Sequence, residues 1–358
     1  MNPLRILNQS GQSIWLDNLS RTLLREGGLQ QLIENDGISG VTSNPSIFQK
    51  ALAESPYYHD DLARLKASEA DAEKRYEALV IPDIQAACDL LLPTFQRSQG
   101  VDGYVSLEVS PHLAHDSAAT IAAAQRLRAT VNRPNLLIKI PGTAAGLVAF
   151  EQLITAGVSI NITLLFSLRQ TVRVFEAYIR GLRQRLAQGN DLRNIKAVAS
   201  LFLSRVDTLV DQRLATIDSD AAQALTGHAA LITAKLAYQR YQDIFHGAMF
   251  ADLAHAGARP QYLLWASTGT KNPAYSDVKY LEALIGPETI NTVPDATLAA
   301  FRDHGRVELT LTSAIAAAEA DYIALEKIGI DLNVVGETLQ ADGLKLFSDA
   351  YDKVLASS

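Results

Sequence analysis

Eight short apolar or β-branched runs punctuate the chain, at residues 13–18, 40–44, 103–109, 136–141, 158–165, 197–204, 262–267 and 289–293. Between most of them the apolar positions recur with helical spacing, as in 144–155 and 168–187. Strands that alternate with helices predict a parallel sheet with helices outside it, and eight such units predict an α/β fold closed into a (β/α)8 barrel. An open doubly wound sheet is the competing arrangement. The chain holds neither a G-x-G-x-x-G turn nor a P-loop, which disfavours it. A barrel of this kind takes about 250 residues, so roughly 100 remain. Two helical regions absorb them: an insertion at about 55–98, with a kink or break expected before Pro82, and a C-terminal tail at about 310–356 with Ala-rich turns. No Ser/Gly linker, low-complexity tract or repeat divides the 358 residues, which predicts one domain over 1–358.

Apolar residues make up 48% of the chain and charged residues 20%, ample for a packed core. The net charge of −7 argues against a general nucleic-acid binder while allowing a local basic site for phosphate. Cys88 is the only cysteine, so no internal disulfide forms. The N-terminal residues lack the apolar core of a signal peptide, and no stretch reads as a membrane span. A reducing cytoplasm is the expected compartment, with no membrane partner.

Candidate chemistry lies at the strand ends. Lys139 sits inside the run Leu-Leu-Ile-Lys-Ile-Pro-Gly, where its ammonium must snorkel out or face an apolar layer. Desolvation of such an amine favours the neutral, nucleophilic form, although a structural ion pair explains a strand lysine equally well. Strand parity places Asp17 on a face with Trp15, Asn44 with Thr42, Glu108 with Ser106, Asn161 with Thr163, and Ser200 with Phe202 and Ser204. Most of these fall in the C-terminal halves of their strands, where barrels of this class build active sites. Each has a plainer use: Asn44 suits an N-cap before Pro45, Asp17 a partner for Lys139, Thr163 an ordinary strand residue. Together, one amine, two carboxylates, two amides and several hydroxyls on five or six strands read as catalytic.

The residue types define the reaction. A lysine amine condenses with a ketone through a carbinolamine to an imine, an electron sink for breaking an adjacent C–C bond. One carboxylate must take the proton from the substrate hydroxyl, and a second must shuttle protons during carbinolamine dehydration. Asp17 and Glu108 suit these roles. Asn44 and Asn161 suit the holding of a polyhydroxylated substrate.

Two segments carry a family resemblance. Gly-Val-Thr-Ser-Asn-Pro-Ser-Ile-Phe at 40–48 resembles the first transaldolase signature. Leu-Ile-Lys-Ile-Pro-Gly-Thr at 137–143, followed by Asn-Ile-Thr-Leu-Leu-Phe-Ser at 161–167, resembles the second. The likeness runs from about residue 13 to about 294 and is nearest the longer bacterial branch. It implies that Lys139 forms a Schiff base, that Asp17 is the acid/base for C–C cleavage, and that Glu108 with Thr163 holds a proton-relaying water. It further implies that Asn44, Asn161 and Ser200 bind hydroxyls of a dihydroxyacetone unit and that Arg205 binds phosphate. The family's second phosphate arginine follows strand seven in a Ser-Phe-Arg-Asn-like stretch. Here that stretch reads Ser267-Thr268-Gly269-Thr270-Lys271-Asn272, so Ser267 carries over, the arginine does not, and Lys271 is the substitute charge. Related lysine aldolases commonly have tyrosine at the water-holding position, so Glu108 favours transaldolase over fructose-6-phosphate aldolase.

The implied reaction moves dihydroxyacetone from sedoheptulose 7-phosphate to glyceraldehyde 3-phosphate, in the non-oxidative pentose phosphate pathway. It needs no metal or organic cofactor, its partners are phosphorylated ketoses and aldoses, and the family includes monomers and homodimers.

Two other readings compete. Glu108, His112, His115 and Asp116 have residue types that suit a divalent metal, though their spacing matches no common ligand pattern. A barrel that only binds sugar phosphates is the second, and it would be expected to lose the lysine or a carboxylate. Cys88 reads as a small buried residue, and Lys196 precedes strand six at the opposite end of the barrel.

Overall fold

The computed structural model describes residues 2–358. Eight parallel strands close into a barrel in sequence order: β1 (Gln12–Leu16), β2 (Gly40–Thr42), β3 (Tyr104–Glu108), β4 (Leu136–Pro141), β5 (Ile160–Leu165), β6 (Ala197–Phe202), β7 (Tyr262–Ala266) and β8 (Thr289–Val293). The pairing of β1 with both β2 and β8 completes the ring. The predicted fold class is therefore the observed one. β4, β5, β6 and β8 are buried along their whole length, because helices cover the outer face while side chains fill the interior. β2 is the shortest strand. A Cβ at residue 40 would overlap the Trp15 indole, so glycine there lets Trp15 fill the interior beside it.

Strand ends pass directly into helix caps. The side chains of Asn44, Thr143 and Ser167 accept hydrogen bonds from the amides of Ile47, Gly146 and Gln170, starting the helices after β2, β4 and β5. Polar side chains are thereby held at the C-terminal end of the barrel.

The structure corrects the sequence reading in three places. Helix Ala72–Arg97 runs unbroken through Pro82, and the break falls earlier, where Asp71 caps its first turn. Proline at 82 has no N–H for the ladder. In the same turn the buried Arg21 guanidinium donates to the Leu79 carbonyl at 2.8 Å and pairs with Asp83 at 2.9 Å. An 18-residue stretch of the same helix has mean hydropathy 1.4, which by length and composition is enough to cross a membrane, contrary to the expectation that no stretch is. Its Leu79, Ile84 and Leu91 are fully buried in the core. The run 158–165 is also less regular than read. Leu164 has φ +60° and the register with β6 shifts between Ile162 and Leu165, a bulge that turns the Leu164 carbonyl away from the ladder.

That carbonyl has a partner in the C-terminal helix, Leu332–Ser357. Gln340 Nε2 donates to both Leu164 O and Gly142 O at 3.0 Å, fastening the helix across the C-terminal ends of β4 and β5.

Candidate active site

Lys139 enters the barrel from β4 between Ile138 and Ile140 and is 4% exposed. Its Nζ donates to Ser43 O at 3.2 Å and stands 3.7 Å from Glu108 Oε2. Glu108 is its direct neighbour on β3, as Asn161 is on β5. Glu108, not Asp17, is thus the ion-pair partner of Lys139. Burial raises the Glu108 carboxyl to about 7, the nearby ammonium opposing that rise. At 3.7 Å the pair is in ionic contact without a hydrogen bond. Glu108 Oε2 and Thr163 Oγ1 are both buried with no protein hydrogen-bond partner.

Asp17 lies one residue past β1, and its amide prolongs the ladder by donating to Val293 O at 2.8 Å. Its carboxylate accepts from Thr42 Oγ1 at 2.8 Å, and that hydroxyl meets Thr292 Oγ1 at 2.6 Å, joining β1, β2 and β8. Burial raises the Asp17 pKa, and the field of Lys139 and the Thr42 bond pull against it.

Asp17, Thr42, Lys139, Thr163 and Thr292 open onto a cavity of about 220 Å³ at the C-terminal end of the barrel. Of the residues singled out from sequence, Asp17, Asn44, Lys139, Thr163, Ser200, Arg205, Ser267 and Lys271 all line it. Asn44 does so while capping its helix, so its plainer use is realised as well. Asn161 and Glu108 do not line it. Asn161 is fully buried, donating to Ser106 Oγ at 3.1 Å and accepting from Ser200 Oγ at 2.7 Å, which fixes the Ser200 hydroxyl.

The far wall is cationic. Arg205 follows β6 in helix Ser204–Leu214, half-buried, and burial lowers its pKa while Asp342 of the C-terminal helix opposes the shift. Lys271 is exposed in the segment after β7. Between them Ser267 holds φ +54°, its Oγ 2.8 Å from Ser204 Oγ and its carbonyl accepting from the Ser204 amide at 3.1 Å. A non-glycine residue kept in the left-handed region by two such contacts is a common feature of binding sites.

Sequence reasoning missed Phe347. It reaches the cavity from the C-terminal helix, its ring centroid 5.8 Å from Lys139 Nζ, and no strand motif points to it. Thr292 was also missed. The polar residue next to the end of β8 was the available signal.

The metal-ligand candidates scatter. Asp116 caps helix Ser117–Val131 through Ala119, and His112 pairs with Asp352 at 2.8 Å. Among the described residues no group of three or more His, Cys, Asp or Glu side chains is placed to hold a metal ion. Cys88 is fully buried, which pushes its thiol pKa well up.

Comparison with known proteins agrees with this arrangement. The sequence profile of the Transaldolase/Fructose-6-phosphate aldolase family matches residues 14–358. A Transaldolase from Thiobacillus denitrificans is 58% identical over 356 residues, spanning 99% of each chain. One from Neisseria gonorrhoeae is 47% identical over 97% of this chain and 96% of its own. Transaldolase 1 from Streptomyces coelicolor is 44% identical over 99% of this chain and 93% of its own. A buried strand lysine ringed by strand-end carboxylates, with family likeness along nearly the whole chain, places this protein in the transaldolase/fructose-6-phosphate aldolase family.

Proposed function

We propose that the chain is a transaldolase, moving a dihydroxyacetone unit from sedoheptulose 7-phosphate to glyceraldehyde 3-phosphate to give erythrose 4-phosphate and fructose 6-phosphate. The observation that carries this is the buried Lys139 amine, 3.7 Å from a Glu108 carboxyl raised to about 7, at the floor of a cavity that Asp17 also lines.

Lys139 Nζ adds to the ketose C2 carbonyl. The carbinolamine loses water as its hydroxyl takes a proton, and the nitrogen lone pair forms the C=N bond. Glu108, whose raised pKa of about 7 leaves roughly half of it protonated at neutral pH, supplies that proton. Its Oε2 and Thr163 Oγ1, both without protein partners, suit a water between them as the carrier. Asp17 then removes the C4 hydroxyl proton. The C3–C4 bond breaks, its electrons enter the protonated imine to leave an enamine, and the aldose departs. The acceptor aldehyde reverses these steps, its oxygen taking the proton from Asp17.

Asn44 and Ser200 bind the hydroxyls of the three-carbon unit, and buried Asn161 sets the Ser200 hydroxyl. Arg205, Ser267 and Lys271 hold the phosphate. Phe347 covers the amine and excludes water that would hydrolyse the imine. The reading includes a cytoplasmic setting on a one-domain chain.

Borohydride trapping with fructose 6-phosphate in the presence of EDTA, followed by peptide mapping, tests it. The expected result is a reduced three-carbon adduct on Lys139, absent from Lys139→Met protein with unchanged circular dichroism. Erythrose 4-phosphate added before borohydride should consume the adduct. Persistence of the adduct would favour simple aldol cleavage, and an adduct on another lysine would remove Lys139 as nucleophile.

A further inference from the structure

At the opposite end of the barrel, beneath the N-terminal ends of β3 to β7, lies a cleft of about 430 Å³. Four arginines line it, Arg128, Arg133, Arg193 and Arg259, and no carboxylate does, in a chain whose net charge is −7. It adjoins a second depression of about 590 Å³ that shares Arg128, Arg133 and Pro134 and is likewise free of acidic lining. Two of the arginines are partly neutralised from outside, Arg133 by Asp89 at 2.6 Å and Arg193 by Asp191 at 3.0 Å. Arg128 and Arg259 have no ion-pair partner among the described residues.

Arg259 is also pre-positioned. Tyr178 Oη donates to its carbonyl at 2.9 Å, and its Nη2 donates to Gln99 O at 2.5 Å. A Cβ on Gly100, which has φ +74°, would come within 3.3 Å of Nη1. After burial and the opposing pull of Asp102, Arg259 contributes to holding the Lys196 ammonium below its ordinary range, so its positive potential also reaches the barrel interior. Guanidinium groups that line a concave space without carboxylates favour a multiply charged oxyanion, and the planar fork of each can meet two phosphate oxygens at once.

We propose that this cleft is a second anion site, separate from the sugar-phosphate cavity, that takes a phosphate-ester or pyrophosphate group. The exposed Arg128 and Arg193 meet the outer oxygens and Arg259 the inner ones.

Sodium pyrophosphate is the probe, with amide hydrogen exchange and titration calorimetry on the full chain as readouts. Residues 132–136 and 193–196 should gain protection, and Arg128→Glu/Arg193→Glu should weaken binding at this site about tenfold or more. Arg128→Ala alone should weaken it less, and serves if the double variant is poorly folded. Arg205→Ala should leave protection at 132–136 and 193–196 intact, even if it abolishes binding in the catalytic cavity. Protection confined to the C-terminal end of the barrel, unchanged affinity in the Arg128 variants, or no saturable binding in Arg205→Ala protein would each overturn the proposal.

Discussion

Glu108 shows how far one residue's environment reaches. Its pKa of about 7 against an unfolded value of 4.5 means the folded chain holds its proton more tightly than the unfolded one between those pH values. Folding therefore gains proton uptake there, and the carboxyl's contribution to stability declines as pH rises from 4.5 to 7. Glu108→Gln removes that dependence, so it should raise the thermal midpoint more at pH 7.5 than at pH 4.5. An equal change at both would place the pKa near its ordinary value. The same proton is the one delivered to the carbinolamine, so kcat/KM of the unmodified protein should fall above about pH 7 and the Gln variant should lose that limb. Lys271 acts differently, as an exposed point charge worth about 1 kcal/mol. Lys271→Ala should raise KM for phosphorylated donors about fivefold with kcat nearly unchanged. An unchanged KM would take Lys271 out of the phosphate wall.

At the scale of elements, the strands were readable in sequence because each is a short apolar run whose polar residues share a parity, as with Glu108 and Ser106 or Asn161 and Thr163. What could not be read was contact between elements distant in sequence. Phe347 and Gln340 look like ordinary positions of a long helix until that helix is laid over β4 and β5. The bond from Arg21 to the Leu79 carbonyl, in the turn before Pro82, was hidden for the same reason, since the donor comes from another helix. Gln340 holds two carbonyls with one amide, so Gln340→Ala should cost about 1–3 kcal/mol. It should also speed amide exchange along 332–357 and reduce turnover by loosening the cover over Lys139. Unchanged exchange in that helix would show that packing alone seats it.

Across the whole molecule the barrel separates its tasks by end. The C-terminal end gathers the polar groups of the site, whereas the N-terminal end is tied together by charge. Asp102 accepts from Ser13 Oγ at 2.5 Å and Trp15 Nε1 at 2.8 Å, linking β1 to the start of β3 across the short β2. Lys196, 1% exposed, lies there with its Nζ 3.6 Å from the centre of the Tyr262 ring. Burial lowers its pKa to about 7 from an ordinary 10.5, Asp102 opposing the shift and Arg259 adding to it. Between those values the unfolded chain binds more protons than the folded one, so this group makes stability rise with pH from about 7 to 10.5. Below pH 7 the ammonium is charged in both states and its desolvation weighs fully against folding. Lys196→Met keeps the apolar stem over Tyr262 and removes the charge. The variant should gain stability over the unmodified chain at pH 6, with the gain shrinking steadily towards pH 10 in denaturant titrations. A gain independent of pH would mean the ring and surrounding water already accommodate the ammonium. A loss at every pH would mean the cation–ring contact outweighs the burial cost.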